Sequence, residues 1–151
     1  DQREQIISLI RKKTHENAEI LANMGVNETG MGNVGDKILK HHLTADKVPG
    51  TEDISTIAWS GDRGLTLVEM GPFGVIGAIT PATNPSETVI CNCIGMLAGG
   101  NTVVFNPHPN AKKTTIYTIN MINEASIEAG GPDNIAVTVE APTLDTRLDT
   151  R

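Results

Sequence analysis

The sequence predicts an α/β protein: the amino-terminal half of a doubly wound, Rossmann-like parallel sheet, preceded by helices and a β-hairpin arm. Three observations predict it. Short apolar runs at 73–80, 101–106 and 134–140 alternate with helical patterns at 85–100 and 110–131, which is the strand–helix–strand–helix–strand order of a βαβαβ unit. Residues 2–24 carry apolar side chains at helical spacing, with charge on the opposite face. Residues 55–71 hold two β-rich runs around the turn Gly61-Asp62-Arg63-Gly64, the pattern of a hairpin.

In chain order, Ile6, Leu9, Ile10, Ala18, Leu21 and Met24 make the apolar stripe of the first helix. The glycines of NETGMGNVG interrupt it, and GDKILKHHLTADKVPG offers a second helix ending at Pro49-Gly50. Thr56, Ala58, Leu65, Leu67 and Glu69 flank the hairpin turn; such a ribbon is marginal alone and needs a sheet or a partner subunit. FGVIGAIT has the continuous apolar character of a strand buried on both faces. In the helix that follows, Asn84 stands at the N-cap, Pro85 at the first helical position and Glu87 at the third, a relative of the capping box. Gly99-Gly100 close that helix, and NTVVFN is a second buried strand. The next helix turns Ile116, Ile119 and Ile122 inward and stops at Gly130, before the third strand NIAVTVE. Right-handed crossovers place both of these helices on one face of the sheet. The expected organisation is a helical segment at 1–54, a hairpin arm at 55–71 and a half-sheet domain at 72–151.

Composition narrows the function. The chain has 151 residues and a mass of 16.0 kDa, a net charge of −6 and a pI near 5.1, which argues against a nucleic-acid partner. Aromatic residues make up only 3%, too few for base-stacking platforms. No window approaches the ~18 apolar residues of a membrane span, and DQREQIISLIRKK lacks the apolar core of a signal peptide. A cytoplasmic protein is expected. Cys91 and Cys93 are too close for a conventional bridge, and His15, His41, His42 and His108 show no metal-ligand spacing. No metal is expected.

The stretch GAITPATNPSETVI, residues 77–90, is where ligand chemistry belongs. It lies at the carboxyl end of the first strand of the half-sheet, where open α/β sheets bind ligands. Backbone N–H groups at a helix start favour an anion or a developing oxyanion. Asn84 is therefore a simple cap or a donor to a reacting oxygen, and both readings stand at this point.

The run GPFGVIGAITPATNPSETVICNCIGMLAGGNTVVFNPHPNAKKTT closely resembles the aldehyde dehydrogenase superfamily. More narrowly it resembles the coenzyme-A-acylating branch of the ethanolamine- and propanediol-utilisation type. NETGMGNVGDKILKHH and PGTEDIS upstream, and INEASIEAGGPDNIAVTVEAPTLDT downstream, resemble the same branch. The resemblance runs from about residue 3 to residue 146. It implies that a cysteine thiolate attacks an aldehyde, hydride passes to NAD, and coenzyme A takes the acyl group from an enzyme thioester. The implied substrate is a short aliphatic aldehyde, acetaldehyde or propionaldehyde.

The resemblance also assigns roles. In most of the superfamily an asparagine two places before the proline holds the oxyanion. That register falls here on Thr83, with Asn84 one place later. Asn84 is the expected oxyanion donor, and Thr80, Pro81, Ala82 and Thr83 are expected to line the nicotinamide side. Non-acylating relatives end the second strand in a Lys-Pro-Ser-Glu-like run that grips the adenosine ribose. Asn106-Pro107-His108-Pro109 stands here instead, a neutral pocket suited to both NAD and coenzyme A. Asn106, Pro107 and His108 are the expected cofactor residues.

By the same resemblance the nucleophilic cysteine lies in sequence beyond Arg151, so the 151-residue chain alone is expected to be inactive. Cys91 and Cys93 fall within a helix and read as packing residues. The tail LDTRLDTR repeats a tetrapeptide whose second copy has no counterpart in the resemblance. Family likeness suggests a homo-oligomer joined through the hairpin arm, and relatives of this kind reside in bacterial microcompartments. Two other classes stay open: a non-catalytic module for nucleotide or coenzyme A binding or for assembly, and a non-acylating dehydrogenase. The Asn106-Pro107-His108-Pro109 run speaks against the last.

Overall fold

A computed structural model of the protein describes residues 1–142; the LDTR repeat lies outside the described residues. Helices α1 (Gln2–Thr29) and α2 (Val34–Lys47) come first, then a hairpin of β1 (Ile57–Gly61) and β2 (Gly64–Val68). The remainder alternates β3 (Val75–Thr80), α3 (Pro85–Ala98), β4 (Thr102–Pro107), α4 (Lys112–Glu128) and β5 (Ala136–Thr138). The three later strands form a parallel sheet in the order β3-β4-β5, with Thr80 beside Pro107 and Phe105 beside Thr138.

Local chemistry explains where these elements stop. α3 and α4 each end in a Schellman turn, with Gly100 at φ 82° and Gly130 at φ 72°, a conformation that costs glycine little. The N–H groups of Gly100 and Asn101 return to the carbonyls of Leu97 and Met96, and those of Gly130 and Gly131 to Ile127 and Ser126. The α4 start lacks a side-chain cap of its own. Glu28 at the end of α1 supplies one, its carboxylate accepting from the N–H groups of Lys113 and Thr114 at 2.7 Å each. A charge-assisted pair of this kind also favours the positive end of the helix dipole.

The core forms on one face of the sheet. Ala78, Val103, Phe105 and Ala136 meet Val89, Ile90 and Ile94 of α3 and Ile119, Ile122 and Ala125 of α4. Ile6, Ile7, Ile10 and Leu21 of α1 close this core from the side of the two helices. Phe105, Ile90, Ile94 and Ile122 are fully buried, and removing one to alanine costs ~2–5 kcal/mol by cavity formation.

Four expectations change. α1 continues to Thr29 rather than ending near Met24, because Gly25 is buried beneath α2 and breaks no packing. β3 is not covered on both faces: Val75 is 70% exposed, and Gly77, Ile79 and Val137 share its bare side. The helices α3 and α4 both occupy the opposite face, as right-handed crossovers require. Ile116 is only half-buried, while Thr114, Thr115 and Thr118 turn inward with their hydroxyls bonded to Glu28 or to backbone carbonyls. Finally, the side chain of Asn84 makes no capping bond to α3.

The hairpin forms at the expected turn, with Asp62-Arg63 as its two loop residues and Gly61 opposite Gly64. Every residue of both strands is exposed, Trp59, Leu65 and Leu67 included. No helix among the described residues is long and apolar enough to cross a membrane.

Candidate functional site

Two segments meet at the carboxyl edge of the parallel sheet. The N–H of His108 donates to the Thr80 carbonyl at 3.1 Å, so the segment after β4 is tied to the segment after β3. This joins the segment 80–84 to the segment 106–108 at Thr80, which pairs with Pro107 in the sheet; Thr83 and Asn84 turn to α2 instead. Exposures along the two segments differ. Pro81 and Thr83 face outward, Asn84 and His108 are half-buried, and Thr80, Ala82, Asn106 and Pro107 are buried. The Thr80 Oγ1 is buried and has no hydrogen-bond partner among the described residues. His108 turns its Nδ1 back to accept from the Asn110 N–H at 3.1 Å, which starts the short 3-10 turn Pro109–Ala111.

The α3 start is organised by α2, not by its own cap. Lys37, only 3% exposed, donates through Nζ to the Thr83 carbonyl at 2.9 Å and lies 3.5 Å from Glu87 Oε1. Its alkyl stem passes beside Gly25 and Gly32; Gly32 has φ 78°, which favours glycine there. Glu87, 6% exposed, thus pairs with Lys37 rather than reaching back to the Asn84 N–H as a capping box would. Lys40 donates to Asn84 Oδ1 at 3.2 Å, so the Asn84 amide oxygen is occupied by α2. A cleft of about 350 Å³ opens here, bounded by Met31, Asn33, Lys37, Lys40, Thr83 and Asn84. A larger cleft of about 600 Å³ lies between the α1 start and the α4 end, away from this chemistry; residue types rather than size decide the site.

His41 completes the network. It is fully buried, with Nδ1–H donating to the Lys37 carbonyl at 2.7 Å and Nε2 at 2.8 Å from Ser86 Oγ. In the neutral imidazole Nε2 accepts from the Ser86 hydroxyl. Ser86 Oγ also lies 3.2 Å from Glu87 Oε2, so a protonated His41 would reverse that bond and turn the hydroxyl to the carboxylate. Burial pushes the His41 pKa below its ordinary value; Glu87 and the Lys37 carbonyl oppose the shift, while the Lys37 ammonium and His42 reinforce it. The unfolded chain therefore binds this proton more readily than the folded one. As pH falls below about 6.5, the stability from neutral His41 is lost down to its lower folded pKa. We expect the thermal midpoint of the intact protein to fall over that window, and His41→Gln to flatten the decline; an unchanged pH slope in that variant would contradict it.

Sequence reasoning missed Lys37, Lys40, His41 and Ser86. The signal was present as an i, i+3, i+4 spacing of Lys37, Lys40 and His41, which places them on one helix face. Cys91 is partly buried and Cys93 is in the core. Burial raises both thiols, Cys93 to about 12, the opposite of what an activated nucleophile needs. Among the described residues no cluster of three or more His, Cys, Asp or Glu side chains could hold a metal ion.

The profile of the aldehyde dehydrogenase family matches residues 1–145. The chain belongs to the aldehyde dehydrogenase family. An acetaldehyde dehydrogenase (acetylating) of Bilophila wadsworthia is 52% identical over 143 residues, covering 95% of this chain and 30% of the relative. The structure of a propionaldehyde dehydrogenase from the Clostridium phytofermentans fucose-utilisation bacterial microcompartment superposes with a TM-score of 0.95 at 76% identity. That match covers 97% of this chain and 34% of the other. A Rhodopseudomonas palustris propionaldehyde dehydrogenase, solved with bound CoA and an acylated cysteine, superposes with a TM-score of 0.94 at 48% identity. It covers 98% of this chain and 34% of that structure. This aldehyde dehydrogenase chain thus spans about a third of the length of the relatives it matches.

Proposed function

We propose that the intact aldehyde dehydrogenase carrying this segment oxidises a short aliphatic aldehyde to its acyl-CoA, using a nicotinamide dinucleotide. The observation that supports this reading is the Thr80–His108 backbone bond, which ties the two candidate segments together at the carboxyl edge of the sheet. The residues fit a nucleotide. Among the described residues Thr80 Oγ1 is a buried hydroxyl without a hydrogen-bond partner at that edge, and Asn106, Pro107 and His108 add no carboxylate to repel a phosphate. Thr80, Pro81, Ala82 and Thr83 would border the nicotinamide, and Asn106, Pro107 and His108 the adenosine of NAD or of coenzyme A. The nicotinamide, when bound, accepts the hydride.

Asn84 supplies hydrogen-bond donors for the aldehyde oxygen as negative charge develops there, and the α3 N-terminus adds a favourable field. Ser86 and Glu87 occupy the second and third helical positions, where backbone N–H groups lack intrahelical partners. Coenzyme A follows as acyl acceptor in this reading, supported by the acylating relatives. The exposed hairpin, with Trp59, Leu65 and Leu67 uncovered, serves as an arm that buries these side chains on a second copy. A microcompartment lumen suits the likeness to the Clostridium protein.

The test is NADH formation from propionaldehyde by the intact enzyme with and without coenzyme A. Strict dependence on coenzyme A, with propionyl-CoA as product, is expected. Equal rates without coenzyme A, yielding the free acid, would make this a non-acylating enzyme. His108→Glu is expected to raise the KM for coenzyme A about tenfold, ~1.4 kcal/mol of lost binding, by placing a carboxylate beside its phosphates. An unchanged KM would put His108 outside the shared pocket.

A further inference from the structure

We propose that the α2 face formed by Lys37, Lys40 and His41 is a template that aims the donors of Asn84, making Lys37 and Lys40 positioning residues for aldehyde oxidation. This rests on the reading of Asn84 as an oxyanion donor. The three side chains take three handholds within residues 83–86: the Thr83 carbonyl, the Asn84 amide oxygen and the Ser86 hydroxyl.

Each handhold has a geometric consequence. No described peptide bond is cis, and in a trans peptide the C=O and the following N–H point in opposite directions. The Thr83 carbonyl is drawn toward Lys37, so the Asn84 N–H points away from α2. An asparagine amide offers an acceptor on one branch and two donors on the other. Lys40 takes the acceptor, which turns Nδ2 and its two donors away from the ammonium. His41 then fixes the first helical turn through Ser86.

A purely structural role explains these contacts less well. Lys40 is exposed, and an exposed polar contact of this kind adds little to stability. Lys37 and Glu87 form a buried pair, and such pairs are often no better for stability than apolar residues of similar volume. What the two lysines change is which way the Asn84 donors face.

The test uses the intact enzyme and steady-state acyl-CoA formation. Lys40→Met is expected to lower kcat about tenfold, with the thermal midpoint and the KM for coenzyme A unchanged and with partial rescue by Lys40→Arg. Because Lys40 acts through the amide, the same change in an Asn84→Ala background should lower kcat no further. An unchanged kcat for Lys40→Met, or an equal loss in both backgrounds, would overturn the proposal. Lys37→Met with Glu87→Leu removes the ion pair as a unit and leaves the Thr83 carbonyl without its donor. This variant should fold with a near-parental midpoint and a lowered kcat; parental kcat would reduce Lys37 to packing. A parent enzyme that forms no acyl-CoA at all would instead sink the reading of the reaction, and this proposal with it.

Discussion

Asn84→Ala is expected to lower kcat of the intact enzyme by about 10²–10³-fold, the loss typical of removing one oxyanion donor, and to leave stability almost unchanged. The two halves of that result separate the two readings of Asn84. A side chain that capped α3 would cost ~0.5–2 kcal/mol on truncation to alanine. The Asn84 side chain makes no such bond to α3; its amide oxygen accepts from the exposed Lys40. The variant should therefore melt with the parent, while its rate falls because nothing else at that position can donate from a side chain. Thermal unfolding and single-turnover kinetics on the same preparation decide it. A parental rate with a lowered midpoint would return Asn84 to the capping role.

Lys37→Met should destabilise the protein by ~3–5 kcal/mol, the cost of breaking a buried pair from one side. Glu87 is 6% exposed and would be left with no cation beside it, the Ser86 hydroxyl being given to neutral His41. The Thr83 carbonyl would lose its donor in the same step. Glu87→Gln added to Lys37→Met should recover part of the loss, since the orphaned charge is then gone. Chemical denaturation of the four members of this cycle measures the coupling directly. A loss below ~1 kcal/mol for the single variant would show that water reaches the pair and that its burial is incidental.

Much of the half-sheet was legible in the amino-acid order. The apolar runs became β3, β4 and β5 in parallel pairing, and the double glycines became the stops of α3 and α4. These signals are local: a strand is written in side-chain type and a Schellman turn in one glycine at positive φ. The hairpin was legible for the same reason, its turn set by two residues between paired glycines. The candidate segments were read from their position after strands, and the structure joins them at one point, Thr80 to His108.

The rest depended on contacts far apart in sequence. Asn84-Pro85-Ser86-Glu87 has the pattern of a capping box, yet Lys40 claims the asparagine and Lys37 claims the glutamate across more than forty residues. Within GDKILKHH a lysine ordinarily belongs to a solvated face, and nothing local marks Lys37 as the one carried to 3% exposure. The continuous apolar character of FGVIGAIT was equally silent on which face of β3 would be covered, and α3 and α4 cover only one. By itself, then, the sequence determined the order of elements, the stops of α3 and α4, and the family. Only the tertiary structure decided which groups hold Asn84 and which sheet face is bare. Patterns of two to five residues encode backbone conformation, whereas the partner of a buried polar group is set by how separate helices pack, where pairing offsets a desolvation cost that no local pattern records.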